Sequence, residues 1–294
     1  MEPGDQLTPP RPSRRRILVR RLVAVVLIVL VLGAVAAALV VRGSSNAAAP
    51  PTTTIRQLRQ FRVVFPEGFT RAKMAARVGA VAKIAVKESR RKVKLSGDSY
   101  LAATKGSRTI PGFGHVKSLE GFLFPDTYDF DRKTTSAQLA RAQLQEFAAD
   151  WKTVDLSYAR SKNLTPYDVL IIASMVEGEA QVPKERPLIA AVIYNRLHER
   201  MALQIDATTR YGLHIPPTQS LTNSDLNSDN PYNTRNKPGL TPTPINNPGL
   251  AAIEAAAHPA KVDYLYFVRK PDHRHHYFTA NYQDFLQHEA QYGY

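Results

Sequence analysis

The sequence predicts an α+β protein carried behind a single membrane-spanning helix. Three observations lead there. Residues 22–41 run for 20 positions without a charge, several later segments place apolar residues at three- and four-residue spacing, and short apolar or aromatic runs sit between turn residues. These are the patterns of a membrane span, of helices and of strands.

The span comes first. At 1.5 Å per residue its length crosses a bilayer core of about 30 Å. Arg11, Arg14, Arg15, Arg16, Arg20 and Arg21 precede it, and only Arg42 follows closely. The positive-inside bias puts residues 1–21 in the cytoplasm as a basic arm and the rest of the chain outside. A cleaved signal peptide is the rival reading, with small residues at 46–49, but its apolar region spans about 7–15 residues, shorter than this one. Residues 42–59, rich in Ser, Ala, Pro and Thr, read as a linker.

Residues 60–106 form a small unit. Phe61 to Phe65 alternates like a strand, Pro66, Glu67 and Gly68 turn the chain, and Thr70 caps a helix with Met74, Val78, Val81 and Ile84 on its inner face. A second helix starts near Ser99. Residues 107–294 form the larger unit. Its aromatic stretch 119–128 is broken by Gly121 and Pro125, so it is not one regular helix. Helices follow at 136–151, 166–178 and 184–200, the second opened by Thr165 as cap and Pro166 at the first helical position. Residues 206–248 are rich in Pro, Asn, Thr and Asp and read as a long irregular stretch, a type usually functional or disordered. A helix at 250–257 and a hairpin joining 264–268 to 276–279 complete the chain.

Composition narrows the chemistry. No cysteine occurs in the 294 residues, which excludes disulfides, thiol catalysis and thiolate metal sites. The net charge is +14, and twelve basic residues between positions 56 and 94 face only Glu67 and Glu88. Outside a membrane such a stretch fits lipid headgroups and cell-wall polymers rather than nucleic acid, or else a solvated helical face. His273, His275 and His276 lack carboxylates at ligand spacing, so no metal is expected. No phosphate-binding glycine loop and no nucleophile elbow is present, and no cofactor is expected.

Glu177 and Glu179 carry the strongest chemical signal. They close a nearly unbroken apolar run, so the helix is buried on most sides. An acid there meets low dielectric and the negative end of the helix dipole, and both raise its pKa toward a proton donor's range. Residues two apart on a helix point about 200° from one another, so one of the pair is expected to face a cleft and the other to make a structural contact. Spacing alone does not choose between them. Gln204, Asp206, Thr208, Tyr232, Asn233 and Thr234 offer short polar groups suited to hydroxyls and amides, with aromatics nearby to stack on sugar faces.

These residues resemble a known family, the MltG/YceG-like endolytic murein transglycosylases. The resemblance rests on Pro66-Glu-Gly, Leu119-Glu-Gly-Phe-Leu-Phe-Pro-Asp-Thr-Tyr128, Ala173-Ser-Met-Val-Glu-Gly-Glu179 and Glu185-Arg-Pro-Leu-Ile-Ala-Ala-Val-Ile-Tyr-Asn-Arg-Leu197. It continues in order through Met201-Ala-Leu-Gln-Ile-Asp206, Pro231-Tyr-Asn-Thr234, Pro248-Gly249, Ala256-Ala-His-Pro259 and Tyr264-Leu-Tyr-Phe-Val268. Ile205 to Thr209 and Gly239 to Pro244 depart from the family pattern. The resemblance implies a LysM-like subdomain at 60–106 and a YceG-like catalytic domain at 107–294, with Glu179, the second acid of its block, as the catalytic residue. It also implies cleavage of the MurNAc–GlcNAc β-1,4 bond within nascent peptidoglycan strands, leaving 1,6-anhydro-MurNAc ends. Glu120, Gln204, Asp206, Tyr232 and Asn233 are expected to line the substrate cleft, Glu120 equally fitting a hydrogen bond to the backbone of its own turn. The expected partners are glycan strands, the cytoplasmic membrane and, given the short tether, peptidoglycan synthases beside it. A wall-binding scaffold that recruits synthases without cutting is the alternative, and the two acids at the buried helix end speak against it.

Overall fold

The computed structural model describes residues 59–293, with Val29 and Gly33 ahead of them. The expected basic arm, the expected membrane helix apart from Val29 and Gly33, and all but the last residue of the linker therefore lie outside the described residues. Residues 59–293 belong to one compact unit of mixed α+β structure.

Strand β1 (Phe61–Val64) alternates as its sequence implies, Val63 inward and Arg62 and Val64 outward. Its antiparallel partner is β4 (Thr127–Phe130), with Phe61 opposite Phe130. The line drawn at 106/107 thus falls inside one sheet and one continuous core. Thr70 caps α1 (Arg71–Ser89), its hydroxyl accepting Lys73 N at 3.2 Å. The inner face of α1 is Met74, Ala75, Val78, Ala82 and Ala85; Ile84, expected inside, is 53% exposed. Small residues on this face let α2 (Gly97–Ala103) approach closely, because a Cβ on Gly97 would stand 2.7 Å from Ala75 O. A hairpin of β2 (Arg108–Ile110) and β3 (Gly114–Val116), not expected from the sequence, turns through Gly112 at φ +83°.

The stretch 119–128 is irregular, as Gly121 and Pro125 imply. Leu119, Phe122 and Leu123 turn fully inward. Gly121 has φ +93°, and a Cβ there would lie 2.6 Å from the Pro244 ring, so only glycine fits. Asn247 satisfies this turn from 124 residues away, its Oδ1 accepting Gly121 N and Leu123 N at 2.9 Å. Helix α3 (Ser136–Trp151), boxed by Thr135 and Gln138, brings Phe147 and Trp151 against Phe113 and Phe122. The short α4 (Ser157–Ser161) follows.

Helix α5 (Pro166–Glu179) is the central element. Thr165 and Asp168 make a capping box, and every residue from Val169 to Val176 is buried. Helix α6 (Arg186–His198), entered through a 3₁₀ turn at Pro183–Glu185, packs against α5. Helix α9 (Leu250–Ala257) packs against both. The polar stretch after position 206 is not wholly irregular: it contains α7 (Asp206–Leu213) and the single turn α8 (Asn223–Leu226). The expected hairpin is β5 (Tyr266–Arg269) with β6 (His276–Thr279), Arg269 opposite His276. A last helix, α10 (Tyr282–Tyr292), packs on that hairpin.

Candidate active site

The C-terminal end of α5 opens into a cleft of about 1230 Å³. Its walls are the start of α1, the loop 203–206 with α7, the loop at Ile245 and Asn246, strand β5 and helix α10. Glu179 projects from the helix end and is 9% exposed. Gly178 beside it leaves room for α7, since a Cβ there would stand 3.2 Å from the Ala207 side chain. As a result Ala207 N, at the start of α7, points to Glu179 Oε1 at 3.4 Å. Arg269 Nη2, from β5, lies 3.9 Å from Oε2.

Opposing forces act on this carboxyl. Burial raises its pKa and is the largest effect; Asp206 also raises it. Arg269, the Ala207 N–H and Arg210 act the other way. The net direction is upward, so Glu179 keeps its proton to higher pH than a surface glutamate.

Glu177 faces the same cleft, which wraps around the helix end, so the two acids do not divide into cleft and core. Glu177 also accepts Gly249 N at 3.3 Å. Its pKa is raised by burial first and then by Glu67, with Arg186 opposing. The segment carrying the next wall is clamped to α5: Ser174, buried and without any base, accepts Ile245 N at 3.0 Å, and Asn246 Nδ2 donates to Ser174 O at 2.8 Å.

Of the other residues expected in the cleft, three are there. Glu120, Gln204 and Asp206 line it. Glu120 is nearly buried and accepts Arg71 N at 2.8 Å, Asn247 Nδ2 at 2.7 Å and Tyr211 Oη at 3.1 Å. Its backbone partner is the start of α1, not its own turn. Burial pushes its pKa up to about 7. Gln204 is exposed, with φ +55°. Asp206 is ion-paired with Arg235 at 2.8 Å.

Tyr232 and Asn233 do not line the cleft. Asn233 is fully buried, its amide donating to Leu226 O and Ser228 O while Oδ1 accepts Thr209 Oγ1. It fastens α8 to α7. Tyr232 packs edge-on to Tyr211 at 5.0 Å and bonds Thr243 at 2.9 Å. Their polar groups are consumed inside the protein. The three histidines do not converge either: His276 is buried against Glu185 at 2.8 Å, and His275 pairs with Asp272. Among the described residues no cluster of three or more His, Cys, Asp or Glu is placed to hold a metal.

Arg269, Asn246, Arg196 and the aromatic wall from β5 and α10 were not anticipated. Arg196 is buried, gives its guanidinium to Leu265 O, Ala202 O and Leu203 O, and stacks on Tyr266 at 5.2 Å. The pattern of Tyr282, Phe285 and Leu286 after the cap Asn281 was the available signal for that wall.

Fold and site together define a mixed α+β domain that presents a desolvated carboxyl acid in an open cleft with both polar and aromatic walls. The chain belongs to the YceG-like family, whose model matches residues 44–291. It is 40% identical over 153 residues to a Bacillus subtilis protein named endolytic murein transglycosylase, covering 52% of this chain and 42% of the relative. A Streptococcus pneumoniae protein of the same name is 33% identical over 245 residues, covering 76% and 43%. The chain thus spans about two-fifths of the length of these relatives. A YceG-like protein from Listeria monocytogenes, solved at 2.6 Å, superposes with a TM-score of 0.59 at 28% identity, covering 77% of this chain and 75% of that one.

Proposed function

We propose that this protein is an endolytic lytic transglycosylase, a lyase that cuts the MurNAc–GlcNAc β-1,4 bond within nascent peptidoglycan and leaves 1,6-anhydro-MurNAc ends. The observation that carries the reading is Glu179, an acid whose pKa burial raises, placed in an open cleft. The cleft exceeds the roughly 300–1,000 Å³ of small-molecule sites, which suits a polymer. The names of the two relatives agree with it.

Neutral Glu179 gives its proton to the glycosidic oxygen. The C1–O bond of MurNAc breaks through an oxocarbenium-like transition state. The C6 hydroxyl oxygen of the same sugar then bonds to C1, and its proton returns to Glu179. An intramolecular hydroxyl replaces water, and proximity supplies much of the acceleration. Ordinary hydrolysis needs a second carboxylate at a fixed distance. Asp206 is tied to Arg235 instead.

Around this core we place a cytoplasmic arm at 1–21, a single membrane helix at 22–41 and a linker at 42–59, with the catalytic domain outside. Residues 60–106 act as a LysM-like subdomain, and membrane-bound synthases are neighbours within reach of the short linker. The test is to incubate the full chain with uncrosslinked strands and weigh the products. Anhydro-ended fragments support the reading; reducing ends make the protein a hydrolase, and intact strands make it a scaffold.

Arg269 tunes the acid. Its positive charge favours ionised Glu179, so Arg269→Gln raises the Glu179 pKa further. The alkaline limb of kcat/KM then moves to higher pH, as measured between pH 5 and 9. A limb that stays or moves down shows that Arg269 does not act on the titrating group.

A further inference from the structure

Helix α10 is built like a core helix and used like a surface. Tyr282, Phe285, Leu286 and Glu289 stand at i, i+3, i+4 and i+7, the spacing of one helical face. A stripe of that kind ordinarily packs into a core, yet no residue of α10 is buried. Tyr282 is 52% exposed and Leu286 36%. All four residues line the cleft that holds Glu179. The helix is fastened to the hairpin by a neighbouring face: Tyr277 donates to Asp284 at 2.8 Å and stacks on His288 at 3.7 Å. The apolar stripe meets the hairpin at Tyr266 and otherwise lines the cleft.

The rings form one aromatic cluster in the cleft wall. Tyr266 of β5 lies 5.4 Å from Tyr282 and 5.3 Å from Phe285, and Tyr282 and Phe285 are stacked 19° from parallel at 6.2 Å. Arg196 braces Tyr266 at 5.2 Å. Strand β5 also supplies a scale. Arg269, beside Glu179, is three residues from Tyr266, about 10 Å of extended chain. That is more than one sugar ring.

We propose that Tyr282, Phe285 and Tyr266 form an aromatic platform, a glycan-holding subsite more than one sugar away from the bond that is cut, with Glu289 at its edge as a hydrogen-bond acceptor for sugar hydroxyls. This rests on the glycan reading of the cleft. The apolar faces of β-linked pyranose rings lie flat on such rings, and the platform's continuity with the cleft names the occupant. It holds the strand without touching the reacting atoms, so it acts on binding and on the minimum length of substrate.

The experiment uses the full chain and uncrosslinked strands of two lengths. Tyr282→Ala raises KM for long strands about tenfold while kcat stays within twofold, and leaves the shortest cleavable strand unaffected. Tyr282→Phe behaves like the parent, because it keeps the flat face. Direct binding of N-acetylglucosamine oligomers to the Glu179→Gln protein follows the same order. An Ala variant equal to the parent on long strands overturns the platform, as does a Phe variant as weak as Ala, or a loss confined to kcat. If Tyr282→Ala lacks a cooperative melt, Tyr282→Gln replaces it, keeping bulk without a flat ring. A parent that neither binds nor cuts glycan sinks the reading of the cleft, and the platform with it; a binding parent with indifferent variants sinks the platform alone.

Discussion

Glu179→Gln stops the release of anhydro-ended strands across the whole pH range, and the protein melts at the parent's temperature or higher. In the proposed mechanism one carboxyl serves both halves of the reaction, as acid to the leaving oxygen and as acceptor of the C6 hydroxyl proton. A single general acid contributes typically 10²–10⁴ in rate, so a loss of about 10⁴ is expected. Stability moves the other way for an electrostatic reason. A carboxyl whose folded pKa lies above its unfolded value stabilises fully only below the unfolded value, and that contribution is lost as pH rises through the folded one. Glutamine removes that loss, so the variant gains on the parent toward pH 8. Glu177→Gln is the control. Its carboxyl accepts Gly249 N and sits beside Glu67 and Arg186, and its removal costs no more than about tenfold in rate through local repacking. Single-turnover rates decide the matter, and equal losses at 177 and 179, or a parental rate in Glu179→Gln, would end the assignment.

What the sequence made legible is local, and what it hid is tertiary. The cap at Thr165, the apolar run and the acids behind it all lie within fifteen consecutive positions, so helix α5 and its chemistry could be read without a fold. The surroundings that distinguish Glu179 from Glu177 could not, because Ala207 and Arg269 arrive from other elements. Polar composition misled at Tyr232 and Asn233: it does not distinguish groups satisfied inside the protein from groups left free. Helix α7 was hidden for a related reason. Thr208 and Thr209 are weak helix formers in isolation, yet here both are buried, bonded to Ile205 O and Asn233 Oδ1. On α1 the spacing admitted Ile84 to the inner face, and the approach of α2 over the alanine side selected another one. That β1 finds its partner beyond position 107 could not be read either, because no single strand contains the pairing.

Glu120→Ala is the substitution with the greatest effect on folding, and Glu120→Gln separates charge from hydrogen bonding at the same place. The alanine leaves Arg71 N and one of the two Asn247 Nδ2 hydrogens without an acceptor, the other still reaching Phe69 O; each orphaned N–H costs about 1–3 kcal/mol when buried, so about 4 kcal/mol is lost at pH 5. Asn247 then also loosens its hold on the turn at Gly121 and Leu123. Glutamine keeps Oε1 for both N–H groups and turns its amide to Tyr211, whose hydroxyl rotates to accept. The charge effect has a definite sign. Burial lifts Glu120 from 4.5 to about 7 against the opposing Arg71 N–H and Tyr211 hydroxyl. Its contribution is full below about 4.5 and lost as pH climbs through about 7, amounting to about 3 kcal/mol at most by alkaline pH. Denaturant unfolding at pH 5, 6.5 and 8 therefore gives a parent that weakens with pH and a Glu120→Gln protein that weakens less. Glu179 and Glu177, both raised by burial, add to the remaining slope, which the double variant Glu120→Gln, Glu179→Gln flattens further. A parental slope in Glu120→Gln would show that Glu120 is already ionised throughout this range, its three hydrogen-bond donors outweighing its burial.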